Sequence, residues 1–125
     1  MSRTAISTEK IAAAVGPFSS AISTSHLLFL SGQVAQDPGT GKLIAGDVAS
    51  QTERIFENAS LLLEAAGKSL ADVVKVTVYL TDIAKFPAMN DVYGRFFDRP
   101  YPARTTVAVV ALPLGAQVEL DIIAQ

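Results

Sequence analysis

The chain has 125 residues, half of them apolar and 18% charged, with a net charge of −2. That is one domain, residues 1–125, with a real core, neither disordered nor basic enough to track nucleic acid. With no cysteine, disulfides and thiolate chemistry are excluded; with no apolar stretch after Met1-Ser2-Arg3-Thr4 and no run near the ~20 apolar residues of a membrane span, no signal peptide or transmembrane helix is expected, and a cytoplasmic protein is.

In chain order, Arg3 to Ser7 reads as a short edge strand, and Gly16-Pro17 breaks what precedes it. Ala21 to Thr24 and Leu27 to Ser31 are β-rich. The run Leu27-Leu28-Phe29-Leu30 is continuously apolar, as in a central strand. Asp37-Pro38-Gly39-Thr40-Gly41 is a turn cluster. From Val48 to Ala66, the residues Val48, Thr52, Ile55, Phe56, Ala59, Leu62, Leu63 and Ala66 recur at helical spacing, while Glu53, Arg54, Glu57 and Glu64 take other faces. Asp47 suits the N-cap and Gly67 the position just past the helix end. Val73 to Leu80 alternates, with Val74, Val76, Val78 and Leu80 on one side and Lys75, Thr77 and Tyr79 on the other. A second helix is expected from Phe86 to Phe97, with Pro87 in its first turn and Met89, Tyr93, Phe96 and Phe97 as its packing side. Arg104 to Ala111 and Gln117 to Ala124 are the last strands, joined by the turn around Pro113-Leu114-Gly115.

The order β-β-β-α-β-α-β-β predicts an α+β domain, a mixed β-sheet with two helices packed on one face. Val118, Leu120 and Ile122 should meet the helices; Glu119, Asp121 and Ile123 should face away. A partly apolar face without helices is commonly covered by another copy of the chain, so a homo-oligomer is expected.

Two residues stand out as chemistry. Arg104, at a strand start behind Pro102-Ala103, suits a bidentate grip on a carboxylate; the plain alternative is a surface salt bridge. Glu119, mid-strand on a face expected to be covered, suits water activation or proton donation; the plain alternative is a solvated carboxylate. If Leu112 to Ala116 closes an antiparallel hairpin, Arg104 stands ~20 Å from Glu119 along the strands. A site using both then needs Arg104 from one subunit and Glu119 from the next. Ser31-Gly32-Gln33 ends the apolar strand, where a glycine lets a small molecule approach the backbone. Asn90 lies near the start of the second helix. His26 is the sole histidine, in a turn, and one histidine makes neither a metal site nor a Ser-His-Asp triad. Gly39-Thr40-Gly41-Lys42 lacks the full spacing of a phosphate loop.

The stretch Pro102-Ala103-Arg104-Thr105-Thr106-Val107, followed by Leu112-Pro113-Leu114-Gly115-Ala116-Gln117-Val118-Glu119 and closing in Ile122-Ile123-Ala124, resembles the C-terminal signature of the RidA (YjgF) family. Gly16-Pro17-Phe18-Ser19-Ser20-Ala21 resembles its N-terminal motif, and Ser31-Gly32-Gln33 its strand-end motif. Ala65-Ala66-Gly67 with Leu70-Ala71-Asp72-Val73-Val74-Lys75 resembles its helix-to-strand junction. The resemblance covers nearly the whole chain. It implies a chorismate-mutase-like fold, a homotrimer with clefts between subunits, and no metal or organic cofactor. The implied activity is hydrolysis of 2-aminoacrylate and related imines, 2-iminobutanoate and 2-iminopropanoate included, to 2-oxo acids and ammonia. Arg104 is then the clamp for the substrate carboxylate and Glu119 the water-handling carboxyl, with Ser31, Gly32 and Asn90 lining the cleft. Phe18 stands where the family motif has tyrosine, so a cleft hydroxyl is missing, and Thr106 where many relatives have cysteine. The competing readings are a non-catalytic module for small carboxylates, a ribonuclease or translation inhibitor, and a chaperone-like trimer; the acidic balance speaks against RNA.

Overall fold

The structure, a computed structural model, describes residues 2–125. Three antiparallel strands open the chain: β1 (Thr4–Ile6), β2 (Ala21–Ser23) and β3 (Leu28–Gln33). In β3 the apolar run alternates after all: Leu28 and Leu30 are buried, whereas Phe29 is 38% exposed. The strand lies inside the sheet, as expected, but only one face of that sheet is covered, so half of its apolar side chains stay at the surface.

Helix α1 (Val48–Ala65) follows the cap and stripe in its sequence. The Asp47 carboxylate accepts the Ser50 N–H at 2.9 Å. Gly67 takes the left-handed conformation (φ 73°) just past the end. The stripe from Val48 to Leu63 is buried, with Gln51 and Asn58 buried beside it. Strand β4 (Val73–Leu80) alternates from Val76 onward. An irregularity between Val73 and Lys75 puts Val73 rather than Val74 into the core, because one extra residue at a bulge inverts the alternation before it.

Helix α2 (Phe86–Phe96) then carries the chain back to β5 (Ala103–Ala108), which pairs with β4 in parallel. A parallel pair requires such a crossover. Strand β6 (Val118–Ala124) lies between β3 and β4, antiparallel to both, giving the order β1-β2-β3-β6-β4-β5. The last two strands therefore form no hairpin: β4 separates them. The connection crosses the end of β4, held where the Val109 N–H donates to the Leu80 carbonyl (2.8 Å) and the Thr81 N–H to the Gln117 carbonyl (3.2 Å). Strand β5 stops at Ala108 rather than Ala111 because β4 offers no partner beyond Leu80.

Both helices cover one sheet face. Phe56 of α1 joins them, stacked on Phe96 and edge-on to Tyr93 and Phe97 of the α2 region. Truncating so fully buried an aromatic to alanine costs about 3–5 kcal/mol. Across the sheet, the row Leu30, Ile122, Val76 and Arg104 faces the helices, and the row of Glu119, Tyr79 and Val107 faces away. Among the described residues no helix is long and apolar enough to cross a membrane.

Candidate active site in two halves

The first half is built around Glu119. The alternation of β6 sends Val118, Leu120, Ile122 and Ala124 into the core and Glu119 to the helix-free face. The register shift between Leu30 and Gln33 brings Gly32 up against it. A β-carbon on Gly32 would stand 3.0 Å from Glu119 Cδ and overlap Glu119 Oε2 outright. The glycine therefore makes room for the carboxyl, not only for a ligand. Ser31 fastens this strand end to the preceding loop: its Oγ donates to the Ser19 carbonyl (2.6 Å) and its N–H to the Ser20 carbonyl (2.9 Å). Phe18, 54% exposed, comes from that loop. Phe18, Gly32, Val34, Leu114 and Glu119 together line a cavity of about 340 Å³. Burial, and then the negative charge of Asp121 two residues on, push the Glu119 carboxyl above its ordinary pKa.

The second half is built around Arg104, on the helix side of β5. Its Nη1 donates to Asn90 Oδ1 at 2.7 Å, the one hydrogen bond its side chain makes among the described residues. Its guanidinium carbon lies 4.7 Å from the Tyr93 ring centroid and 5.4 Å from that of Phe86. Phe86, Asn90 and Tyr93 fall at i, i+4 and i+7 on α2, so one helix face supplies the whole seat. A cation over an aromatic face is held electrostatically while its N–H edges stay free. Tyr93 is itself fixed against Phe56 and Phe97, and its hydroxyl is buried without a partner. Burial raises the Tyr93 pKa, the Arg104 charge opposes this, and the phenol keeps its proton at neutral pH. A cavity of about 370 Å³, lined by Asn90, Tyr93, Gly94, Tyr101, Pro102 and Arg104, opens here. Thr106 sits two residues along the same side of β5, half-buried and level with Val78.

The chain thus gathers Phe18 and Gly32 around Glu119, with Ser31 holding the adjoining strand end to its loop, and Asn90 with Arg104, but does not bring the two groups together. Arg104 is level with Val76 and Glu119 with Tyr79, three residues along β4 and on opposite faces. Two strand spacings and three residues make roughly 14 Å between their α-carbons. The ~20 Å of a hairpin falls with the hairpin; the separation stands. The remaining candidates do not join either half. His26 is exposed in its turn. The Gly39–Lys42 turn is closed on itself, with the Asp37 carboxylate accepting the Gly39 N–H (3.0 Å) and the Thr40 hydroxyl (3.4 Å). The aromatic seat is the part that sequence reasoning missed. Tyr93 was legible as packing, and the i, i+4, i+7 spacing with Phe86 and Asn90 was the available signal for more.

Residues 8–125 match the family model described as Endoribonuclease L-PSP. The chain is 45% identical, over 99% of its length and 98% of the other's, to a RutC family protein of Pyrococcus abyssi. It is 43% identical, over 98% of its length and 89% of the other's, to the 2-iminobutanoate/2-iminopropanoate deaminase of Bos taurus. Among solved structures, RidA from the Antarctic bacterium Psychrobacter sp. PAMC 21119 superposes with a TM-score of 0.92 at 44% identity, covering 97% of this chain and 98% of that one. A family match across nearly the whole chain, with one fold and relatives aligned end to end, means that the chain belongs to the RidA (YjgF) family.

Proposed function

We propose that this protein is an imine deaminase that hydrolyses 2-imino acids, and the enamines in equilibrium with them, to 2-oxo acids and ammonia. The observation that carries the reading is the Arg104 guanidinium, seated by Asn90 and Tyr93 over an open cavity with its other donors free. That is a preorganised receptor for a carboxylate. The named activity of the Bos taurus relative supports the same choice.

The chemistry asks little more of the chain. With the substrate carboxylate on Arg104, the imine carbon faces a water held by Glu119. The carboxylate takes a proton from that water as its oxygen bonds to the imine carbon, and the C=N electron pair moves to nitrogen. The Glu119 carboxyl hands that proton to the nitrogen, giving a neutral carbinolamine; Glu119 then takes the hydroxyl proton as C=O forms and passes it to the nitrogen as the C–N bond breaks. One water is consumed, and ammonia and a 2-oxo acid leave. A carboxyl whose pKa is raised toward neutrality is suited to these proton transfers.

The reading includes a cytoplasmic homotrimer. Arg104 and Glu119 cannot meet on one small substrate within a chain, so each cleft takes Arg104 from one subunit and Glu119 from its neighbour. Exposed Phe29 and Val107, both on the helix-free face, supply apolar contact for such an assembly. The family model's description names an endoribonuclease, but a net charge of −2 provides no phosphate-tracking surface here.

The test generates 2-iminopropanoate from serine with a dehydratase and traps it with semicarbazide. The wild-type protein is expected to lower the trapped fraction, and Arg104→Ala, with assembly unchanged, to abolish the effect. No effect from assembled wild type at high concentration, with binding of 2-oxo acids retained, would favour the non-catalytic module.

A further inference from the structure

We infer that Leu114 selects substrates with a bulky apolar side chain, an inference that rests on the imine-deaminase reading above. Leu114 is the one non-glycine residue among those described whose backbone is left-handed, with φ 61° and ψ 13°. That region crowds the β-carbon of an L-residue and is normally left to glycine, asparagine or aspartate. Gly115 follows it at φ 72°, where the conformation is free of such crowding. The leucine therefore holds a strained position that a glycine would fill without strain. Strain of this kind is retained where the side chain serves a purpose.

The surroundings of Leu114 show what that purpose is. It is 58% exposed, too open for its apolar surface to be serving the core of this chain. It forms part of the wall of the cavity that holds the Glu119 carboxyl. Two further exposed apolar residues, Val15 (88%) and Phe18 (54%), line the same cavity, with Ile11, Ala14 and Val34 among its other apolar residues. Glu119 is the only ionisable group lining it. At about 340 Å³ the cavity is several times what a reacting water needs, about 30 Å³ of liquid volume. The carboxylate end of the substrate belongs to Arg104 in the other half-site. What remains to fill the space beside Glu119 is the substituent on the imine carbon, which meets a mainly apolar wall with Ser20, Gln33 and Gln36 as its other polar side chains. A branched aliphatic or thioether side chain covers more of the apolar surface of Val15, Phe18 and Leu114 than a methyl group can.

The experiment compares imino acids released by an amino-acid oxidase from leucine, methionine and alanine, with catalase present and semicarbazide as the competing trap. Wild type is expected to show a kcat/KM at least tenfold higher for the leucine-derived imine than for the alanine-derived one, the discrimination that added buried methylenes supply. Leu114→Ser and Leu114→Gly should each lower that ratio at least fivefold. Leu114→Gly releases the backbone strain, so its melting temperature should equal or exceed that of wild type, and loss of folding cannot explain its loss of selectivity. A second readout is calorimetric: 4-methyl-2-oxopentanoate should bind more tightly than pyruvate to wild type, and the difference should shrink in both variants. Hydrolysis of all three imines at rates within twofold, or an unchanged ratio in both variants, would overturn the role of Leu114 and leave the deaminase reading standing. Hydrolysis of none by assembled wild type would overturn the deaminase reading and this inference with it.

Discussion

The Glu119 carboxyl lies against the bare α-carbon of Gly32, so closely that any side chain at position 32 must displace it. Gly32 is not in a left-handed conformation, so alanine fits the backbone there without strain. The displaced atoms are the far end of a flexible side chain, so the folded state absorbs the change cheaply. Gly32→Ala should therefore change stability by less than about 1 kcal/mol. Catalysis should suffer far more, because a carboxyl moved by an ångström no longer aligns its water; a loss of about a hundredfold in kcat is expected. Thermal melts beside imine-hydrolysis rates check both halves. Full activity in this variant would mean that the carboxyl works from another position.

The pH dependence follows from the same carboxyl. Its folded-state pKa is raised, first by burial and then by Asp121. If Glu119 acts as a base, kcat should rise with pH through an inflection above the ordinary carboxylate value. Asp121→Asn should move that inflection down, though not all the way, since burial is the larger cause. Stability carries the opposite sign. A raised folded pKa means that the native state holds this proton more tightly than the unfolded chain does. The stabilisation is complete below the unfolded pKa and is lost as pH rises through the folded one. Glu119→Gln, which cannot ionise, should therefore melt higher than wild type at pH 7 and no higher at pH 4. An equal difference at both pH values would remove the desolvation argument.

The parts of the molecule legible in its sequence are those set by local chemistry. Asp47, the stripe from Val48 to Leu63 and Gly67 define α1 because a cap, a period and a terminator each act within a few residues. Alternation in β6 separates Glu119 from Val118 and Leu120 for the same reason. The position of β6 was hidden. Alternation tells which face a residue takes, not which edge a strand joins, and the short Pro113–Gly115 turn suggested a hairpin that β4 interrupts. The bulge that exchanges Val73 for Val74 left no mark in a run of valines and a lysine. Arg104 stood out in the sequence as a candidate carboxylate clamp. Its seat was not, because a buried tyrosine on a helix reads as packing until the strand opposite is known to carry the arginine.

That seat makes a prediction with two variants. Tyr93→Phe keeps the ring under Arg104 and removes a buried hydroxyl that has no partner. Leaving such a group unsatisfied costs about 1–3 kcal/mol, so this variant should be at least as stable as wild type and hold a 2-oxo acid with similar affinity. Tyr93→Leu removes the aromatic face. It should lose stability through the contacts with Phe56 and Phe97, and should also bind 2-oxo acids about three- to thirtyfold more weakly, the range for a partly desolvated cation–π contact. Calorimetry with the oxo acid and with its amide separates the two effects. Loss of the guanidinium seat weakens only the carboxylate ligand, whereas general loosening weakens both.

The sharpest test of the divided site is mixing. Arg104 and Glu119 lie on opposite faces of one sheet, so a cleft that uses both draws on two subunits. Arg104→Ala and Glu119→Gln should each be inactive alone. Unfolded together in equal amounts and refolded, they should form mixed assemblies in which about a quarter of the clefts pair an intact Arg104 with an intact Glu119, by random association. Activity should recover to about that fraction of wild type. Light scattering should give three times the 13.2 kDa chain mass for all of these proteins. Val107→Asp, which puts a charge on the exposed apolar patch, should lower both that mass and the activity. Recovery absent from properly mixed trimers would mean that each site is complete within one chain. The Arg104 and Glu119 cavities would then have to serve different ligands.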